Sequence, residues 1–286
     1  MNITYPQAII TGFIQGITEL FPISSLGHAV LVPAWIGGSW KTFTTDSTSA
    51  YLSITVALHF ASALALFWVF RHRWIRLIGA GILSLRKRET ITGTVFWRIV
   101  IATIPVAVLG VIFEKPLRTL FSKPLASAIF LSINGIILII AERASRKAKA
   151  EVDEAMENAE IAQRVSTPVA VSIGVAQSLA LLSGISRFGI TMSAGLFRGL
   201  SHRAASDFAF LLALPVILGA SIIKIPELFA SENSDLLGPV LAGSVVSFIC
   251  TYASISFLVR YFKTRTLYPF AVYCLVLGVA SIIRFA

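Results

Sequence analysis

Glu19, Ser24, Ser25 and His28 lie within ten residues of one another, in a stretch, Gly12 to His28, that reads GFIQGITELFPISSLGH and is otherwise mostly apolar. A carboxylate, hydroxyls and an imidazole gathered this closely can run nucleophilic chemistry. A serine hydroxyl is a poor nucleophile until a base takes its proton, and His28, three residues after Ser25, is spaced to be that base. Glu19 can orient His28, or act as an acid or base itself. Pro22 interrupts the segment, because it has no amide donor and pushes Phe21 out of the helical region. In lipid, backbone that leaves the helix must be buried in protein or line a watery cavity, and a carboxylate placed there marks a site.

The same stretch recurs 162 positions later. GFIQGITELFPISSLG falls on GVAQSLALLSGISRFG, with Gly12 on Gly174, Gln15 on Gln177, Ile23 on Ile185, Ser24 on Ser186 and Gly27 on Gly189. Pro22 and Gly184 put a breaker at one aligned position, so each copy reads as half-helix, polar turn, half-helix. Interrupted apolar segments at corresponding places in the halves of a chain point to a binding site between the repeats.

The second half-helices then begin at Ser24 to Gly27 and at Ser186 to Gly189. A helix N-terminus offers unpaired amides and partial positive charge, which suits an anion, and glycine lets backbone approach a ligand closely. Arg187 adds a permanent fork of donors matched to phosphate. Arginine costs roughly 2.5 to 3.5 kcal/mol at the centre of a membrane helix, so an idle role is a poor explanation for it. The blander readings are a structural Glu19–Arg187 bridge and, for Ser24, a simple N-cap. The bridge leaves the serines and the imidazole unexplained. His59, in mid-span with no motif around it, reads as a hydrogen-bonded packing residue. Asp207 reads as a cap for its helix or a partner for Arg203.

The elements that must hold these residues are membrane helices. The chain has 286 residues, of which 56% are hydrophobic and 13% charged, and its mean hydropathy is +0.82, too apolar for a soluble domain. The formal charge of +10 would suggest nucleic acid in a soluble protein. Here the basic residues flank apolar runs, so no nucleic-acid partner is expected. Cys250 and Cys274 lie within apolar runs and read as packing residues. With no basic residue before the first apolar run and no small-residue cleavage signal, no removable signal peptide is expected.

In order, residues 5–37 form the first interrupted segment and 38–49 a loop. Spans are expected at 51–70, 94–113, 125–141, 204–223, 236–259 and 267–283, with the second interrupted segment at 168–200. The cluster Arg71, His72, Arg73 and Arg76 is expected to end the first span, leaving 75–85 at the interface. Residues 114–123 form a short loop with room for a surface helix. The acidic stretch 150–163 reads as a solvated helical loop between halves 1–149 and 167–286 of a single membrane domain, with 150–166 as the connection. Placing the ends after Phe70, Ala141 and Val259 and around Arg203 in the cytoplasm puts sixteen basic residues inside against six outside. The fold expected is an all-α polytopic membrane protein, an inverted-topology repeat with six spanning helices and two re-entrant helix hairpins that meet near the midplane.

At these residues the chain resembles the undecaprenyl-diphosphate phosphatase family, membrane enzymes linked to bacitracin resistance. That family carries ExxxE, then PxSSxGH, and later PGxSRSGxT. Here the corresponding residues are Gln15-Gly16-Ile17-Thr18-Glu19, Pro22-Ile23-Ser24-Ser25-Leu26-Gly27-His28 and Ser183-Gly184-Ile185-Ser186-Arg187-Phe188-Gly189-Ile190-Thr191. The resemblance implies removal of the terminal phosphate of a polyprenyl diphosphate, giving the carrier monophosphate for cell-wall synthesis, at a site opening to the outer side of the cell membrane. It implies Ser25 as nucleophile, Glu19 and His28 as acid/base partners, and Ser186, Arg187 and Thr191 holding the diphosphate beside the Ser24, Gly27 and Gly189 turns.

Three positions depart from the family pattern. Gln15 replaces the first carboxylate, and as a neutral group it is a weaker ligand for Mg²⁺ or Ca²⁺, so a divalent cation is left open as a cofactor, with Gln15 beside it. Phe188 replaces a serine and is expected to remove a phosphate donor and narrow the pocket. Ser183 replaces a proline. The partners expected are the polyprenyl diphosphate and the bilayer, with a homodimer left open. A lipid-phosphate transporter or flippase, or a paralogue with another lipid-phosphate substrate, is the competing reading, since repeats with broken helices are also transporter architecture.

Overall fold

The computed structural model describes residues 3–45, 51–86, 90–113, 116, 123–145, 154–224 and 235–286. Among these residues the secondary structure is helical, with no strand. The helices are α1 (Tyr5–Thr18), α2 (Ser25–Ile36), α3 (Gly38–Thr45), α4 (Tyr51–Ser84), α5 (Ile91–Ile112), α6 (Pro124–Ala144), α7 (Glu154–Arg164), α8 (Thr167–Gln177), α9 (Arg187–Phe197), α10 (His202–Lys224), α11 (Leu237–Tyr261) and α12 (Tyr268–Phe285). A 3₁₀ turn, Ser178–Leu181, extends α8. Six helices, α4, α5, α6, α10, α11 and α12, are long and apolar enough to cross a membrane.

Their outward faces carry Ile104, Val111, Ile112, Leu241, Ile249, Val276 and Ile283, each at least half exposed. The hydroxyls point inward. Ser247 Oγ donates to the Leu58 carbonyl (3.0 Å) and lies 3.0 Å from Ser62 Oγ, which Thr251 also reaches (2.9 Å). Apolar groups toward lipid and small polar groups between helices is how membrane helices associate. The closest crossings involve aligned glycines. A Cβ on Gly12 of α1 would fall 2.1 Å from the Gly243 carbonyl oxygen of α11, and one on Gly174 of α8 would fall 2.3 Å from that of Ala102 in α5. The other main helix contacts are α6 on α12, α4 on α11 and α4 on α5.

The spans agree with the sequence reading, with three corrections. The basic cluster at residues 71–76 does not end a helix. α4 runs on for 34 residues, about 51 Å at 1.5 Å per residue, because arginine is a good helix former and nothing there caps or breaks the chain. Arg73 is instead buried, where it pairs with Asp207 and lies 3.6 Å from Glu157, with Asn158 Oδ1 accepting from Nη2 at 2.8 Å. Asp207 thus serves Arg73, and Arg203 pairs with Glu157. The acidic connection is therefore not simply solvated, since Glu157, Asn158 and Ile161 of α7 are buried. Finally, the expected loop at 38–49 begins with α3, entered through Gly37 and Gly38 at positive φ. The expected surface helix within 114–123 lies largely outside the described residues.

Candidate functional site

Both interrupted segments are broken where the sequence places the breakers. α1 ends at Thr18, and the chain turns through Glu19 to Ile23 before Ser24 caps α2. The 3₁₀ turn after α8 ends at Leu181, Gly184 takes φ 113°, and Ser186 caps α9. Ser24 is at φ 69°, a left-handed conformation that costs a residue with a side chain about 1–3 kcal/mol. The surroundings hold it there. Its Oγ accepts from Gly27 N and from Gly184 N, both at 3.2 Å, and its carbonyl accepts from His28 N at 3.2 Å and from His28 Nδ1 at 2.7 Å.

Other bonds also join the breaks. Ser183 Oγ donates to the Leu26 carbonyl (3.1 Å), and Ser186 Oγ donates to the Phe21 carbonyl (3.2 Å) while accepting from Gly189 N (3.0 Å). Asn134, buried in α6, binds both: its Nδ2 donates to the Pro22 carbonyl at 2.9 Å and its Oδ1 accepts from Ser186 N at 3.0 Å. Sequence reasoning missed Asn134. The available signal was an amide alone in an apolar span, where a polar side chain calls for a partner.

Glu19 is the centre of the cluster. Its Oε2 accepts from Ser25 Oγ at 2.5 Å and from Gln15 Nε2 at 2.8 Å, and its Oε1 lies 3.6 Å from Arg187 Nη1. Arg187 Nη1 is buried and makes no hydrogen bond. Glu19, Ser24, Ser25, Leu26, Ala180, Ile185, Ser186 and Arg187 line a small recess. Its walls carry a serine hydroxyl, a carboxylate and a guanidinium together.

The imidazole beside the serine is His59. Its Nε2 lies 3.1 Å from Glu19 Oε2 and 3.4 Å from Ser25 Oγ. A packing role does not describe that position; long-range folding brings α4 here, and no local motif announces it. His28 turns away from Ser25. Nδ1 faces the Ser24 carbonyl, and Nε2 is 2.7 Å from the Tyr273 hydroxyl, whose ring stacks on the imidazole. Both ring nitrogens are thus engaged, and His28 is not among the residues that line the recess.

Two further expectations change. Phe188 does not narrow the recess: its ring is buried against Phe210 and Phe262, with centroids 4.6 and 5.8 Å away. The first position of α9 points Arg187 to the recess, and the next points into the core. Thr191 is buried a turn further on, outside the recess lining, with its hydroxyl 3.4 Å from Gln177 Oε1.

The donor set does not fit a divalent cation. Glu19 is the one carboxylate on the recess, it already receives a hydroxyl and an amide donor, and a guanidinium stands against its other oxygen. Hard cations ask for several oxygen ligands, and Gln15 turns its amide nitrogen, not its oxygen, toward Glu19. No group of three or more His, Cys, Asp or Glu among the described residues could hold a metal.

Fold and recess together define a multi-pass α-helical membrane protein with a polar pocket at the junction of broken helices. The chain belongs to the bacitracin resistance protein BacA family, whose model matches residues 8–280. Among curated relatives it is 46% identical to the undecaprenyl-diphosphatase of Mycolicibacterium paratuberculosis, over 100% of this chain and 98% of that one. It is 44% identical to undecaprenyl-diphosphatase 2 of Frankia alni, over 100% and 99%. With undecaprenyl-diphosphatase 2 of Chromobacterium violaceum the identity is 38%, over 97% of each chain.

Proposed function

We propose that this protein is an integral-membrane hydrolase that removes the terminal phosphate of undecaprenyl diphosphate and releases the carrier lipid monophosphate. One observation carries the mechanism: Ser25 Oγ donates to Glu19 Oε2 in the same recess where Arg187 Nη1 faces Glu19 and makes no hydrogen bond. Arg187 and the N-termini of α2 and α9 take up the negative oxygens of the diphosphate. Ser25 Oγ attacks the terminal phosphorus as Glu19 Oε2 accepts its proton. The bond from phosphorus to the bridging oxygen breaks, and the lipid monophosphate leaves. Water then attacks the phosphoserine, inorganic phosphate departs, and the proton returns to Ser25 Oγ. The guanidinium and amides face charge spread over the transferring oxygens, the usual basis of phosphoryl-transfer catalysis. His28, bonded to the Ser24 carbonyl, acts by fixing the turn that aims Ser25.

The two broken-helix pairs are, in this reading, re-entrant hairpins of an inverted repeat. What supports it is reciprocity of packing. α1 of the first half lies on α11 of the second, α8 of the second lies on α5 of the first, and aligned Gly12 and Gly174 make the two close crossings. The halves then act as one membrane domain. The excess of basic residues on one set of helix ends supports, in this reading, a recess that opens to the outer side.

The test is phosphate release by the purified protein in detergent with undecaprenyl diphosphate. Ser25→Ala is expected to abolish release, and Arg187→Ala to lower kcat by about 10²–10³-fold, the usual loss for one oxyanion donor. No release by the unmodified protein, with lipid-phosphate movement still seen in vesicles, would replace the hydrolase by a transporter.

A further inference from the structure

The half-helix that starts at Ser25 is held from α12. His28 Nε2 lies 2.7 Å from the Tyr273 hydroxyl, and about two turns further along both helices Trp35 Nε1 donates to Ser281 Oγ at 2.9 Å. Tyr273 stands on a side of α12 that also turns Val272 and Val276 outward, and it is 43% exposed. Phenylalanine would suit such a place against lipid. A tyrosine there needs a partner for its hydroxyl, and it finds one in an imidazole that is itself buried.

The partner atoms fix where the hydrogens sit. The Ser24 carbonyl, 2.7 Å from His28 Nδ1, only accepts, so Nδ1 carries the ring hydrogen. Neither neighbour is anionic, and a buried unpaired charge is costly, so the ring is neutral and its Nε2 lone pair accepts from the Tyr273 hydroxyl. With the hydrogen on Nε2 instead, Nδ1 would set a lone pair against the Ser24 carbonyl, and the ring would have to turn away. The phenol therefore selects the form of His28 that binds this carbonyl. The carbonyl belongs to the residue at φ 69°, and Ser25 follows directly after it.

Resting on the hydrolase reading, we propose that Tyr273 is a positioning residue for Ser25. Acting through His28, it holds the left-handed turn at Ser24, and with that turn the direction in which Ser25 Oγ leaves α2 toward Glu19. Tyr273 is not among the residues that line the recess. The last helix of the chain thus sets the geometry of a serine near its start.

The experiment measures phosphate release from undecaprenyl diphosphate by the unmodified protein, Tyr273→Phe, His28→Ala and the double variant, and reads the histidine ring nitrogens by NMR in detergent. Tyr273→Phe keeps the aromatic ring and removes one hydroxyl. It is expected to lower kcat by about 10–10²-fold, the cost of a small misplacement of a reacting group, with KM changed less than about threefold. In the His28→Ala background the same change is expected to add no further loss, because the hydroxyl acts through the imidazole. The His28 signal, identified by its disappearance in His28→Ala, is expected to show the Nδ1–H form in the unmodified protein and a mixture of forms in Tyr273→Phe. A hydroxyl with only a structural role would lower the melting midpoint and leave both kcat and the ring form as they were. An Nε2–H form in the unmodified protein, an unchanged kcat in Tyr273→Phe, or losses that multiply in the double variant would overturn the assignment of Tyr273 alone. No release by the unmodified protein would overturn the hydrolase reading, while the ring form of His28, read without turnover, would still decide the contact with Tyr273.

Discussion

Replacing Phe188 by serine, the residue the family motif carries there, separates two ideas about this position. If the side chain faced substrate, serine would add a phosphate donor and open the pocket. The structure puts the ring in the core, 1% exposed and packed on Phe210 and Phe262. Truncating a buried phenylalanine costs about 3–5 kcal/mol, the sum of lost burial and the cavity left behind. A chain of this size moves its unfolding midpoint by about 2–4 °C for each kcal/mol, so the variant is expected to melt roughly 6–20 °C lower. Thermal unfolding in detergent reads this shift, and phosphate release below the new midpoint reads the site. kcat and KM are expected to stay within about threefold, because no recess atom is changed. Phe188→Leu removes less volume and is expected to shift the midpoint less, in the same direction. A serine variant with an unshifted midpoint and a tenfold gain in kcat/KM would refute the placement of this ring and the reasoning built on it.

Asn134→Leu removes the group that holds both breaks, leaving the Pro22 carbonyl and Ser186 amide without their partner; each buried orphan costs about 1–3 kcal/mol, and a lower melting point with reduced kcat is expected. Gly12→Leu drives side-chain atoms into the Gly243 backbone and is expected to reduce folded yield on size exclusion in detergent, whereas Gly79→Ala, where a Cβ meets nothing, is expected to leave yield unchanged. At the connection between halves, burial first and the nearby Asp207 carboxylate second push Glu157 up to about 7 from an ordinary 4.5. The folded state therefore holds that proton more tightly than the unfolded chain does. Stability from this group is fully present below about 4.5 and is lost as pH rises through about 7. Hydrogen-exchange protection over α7, taken relative to the intrinsic rate at each pH, is expected to fall from pH 5 to pH 8, and Glu157→Gln is expected to flatten that dependence.

Much of this protein is legible in its sequence because lipid imposes strict terms. Six apolar runs must be helices, since no other local structure satisfies its own backbone there. Pro22 and Gly184 must break theirs, and Ser24 and Ser186 are good caps for the half-helices that start beside them. Those local facts, with the internal match, were enough to draw Glu19, Ser25 and Arg187 toward one point. They do not contain direction. Spacing offered His28 to Ser25, yet the turn at Ser24 rotates that ring to Tyr273, and the imidazole that arrives belongs to a helix with no motif. Phe188 and Arg187 are neighbours in sequence and part company because consecutive helical residues point about 100° apart, one to the core and one to the recess. Local chemistry fixed which backbone bends and which groups are costly to bury. Only packing between distant helices decided which of those groups face one another, since such contacts depend on rotations and crossings that no short stretch encodes.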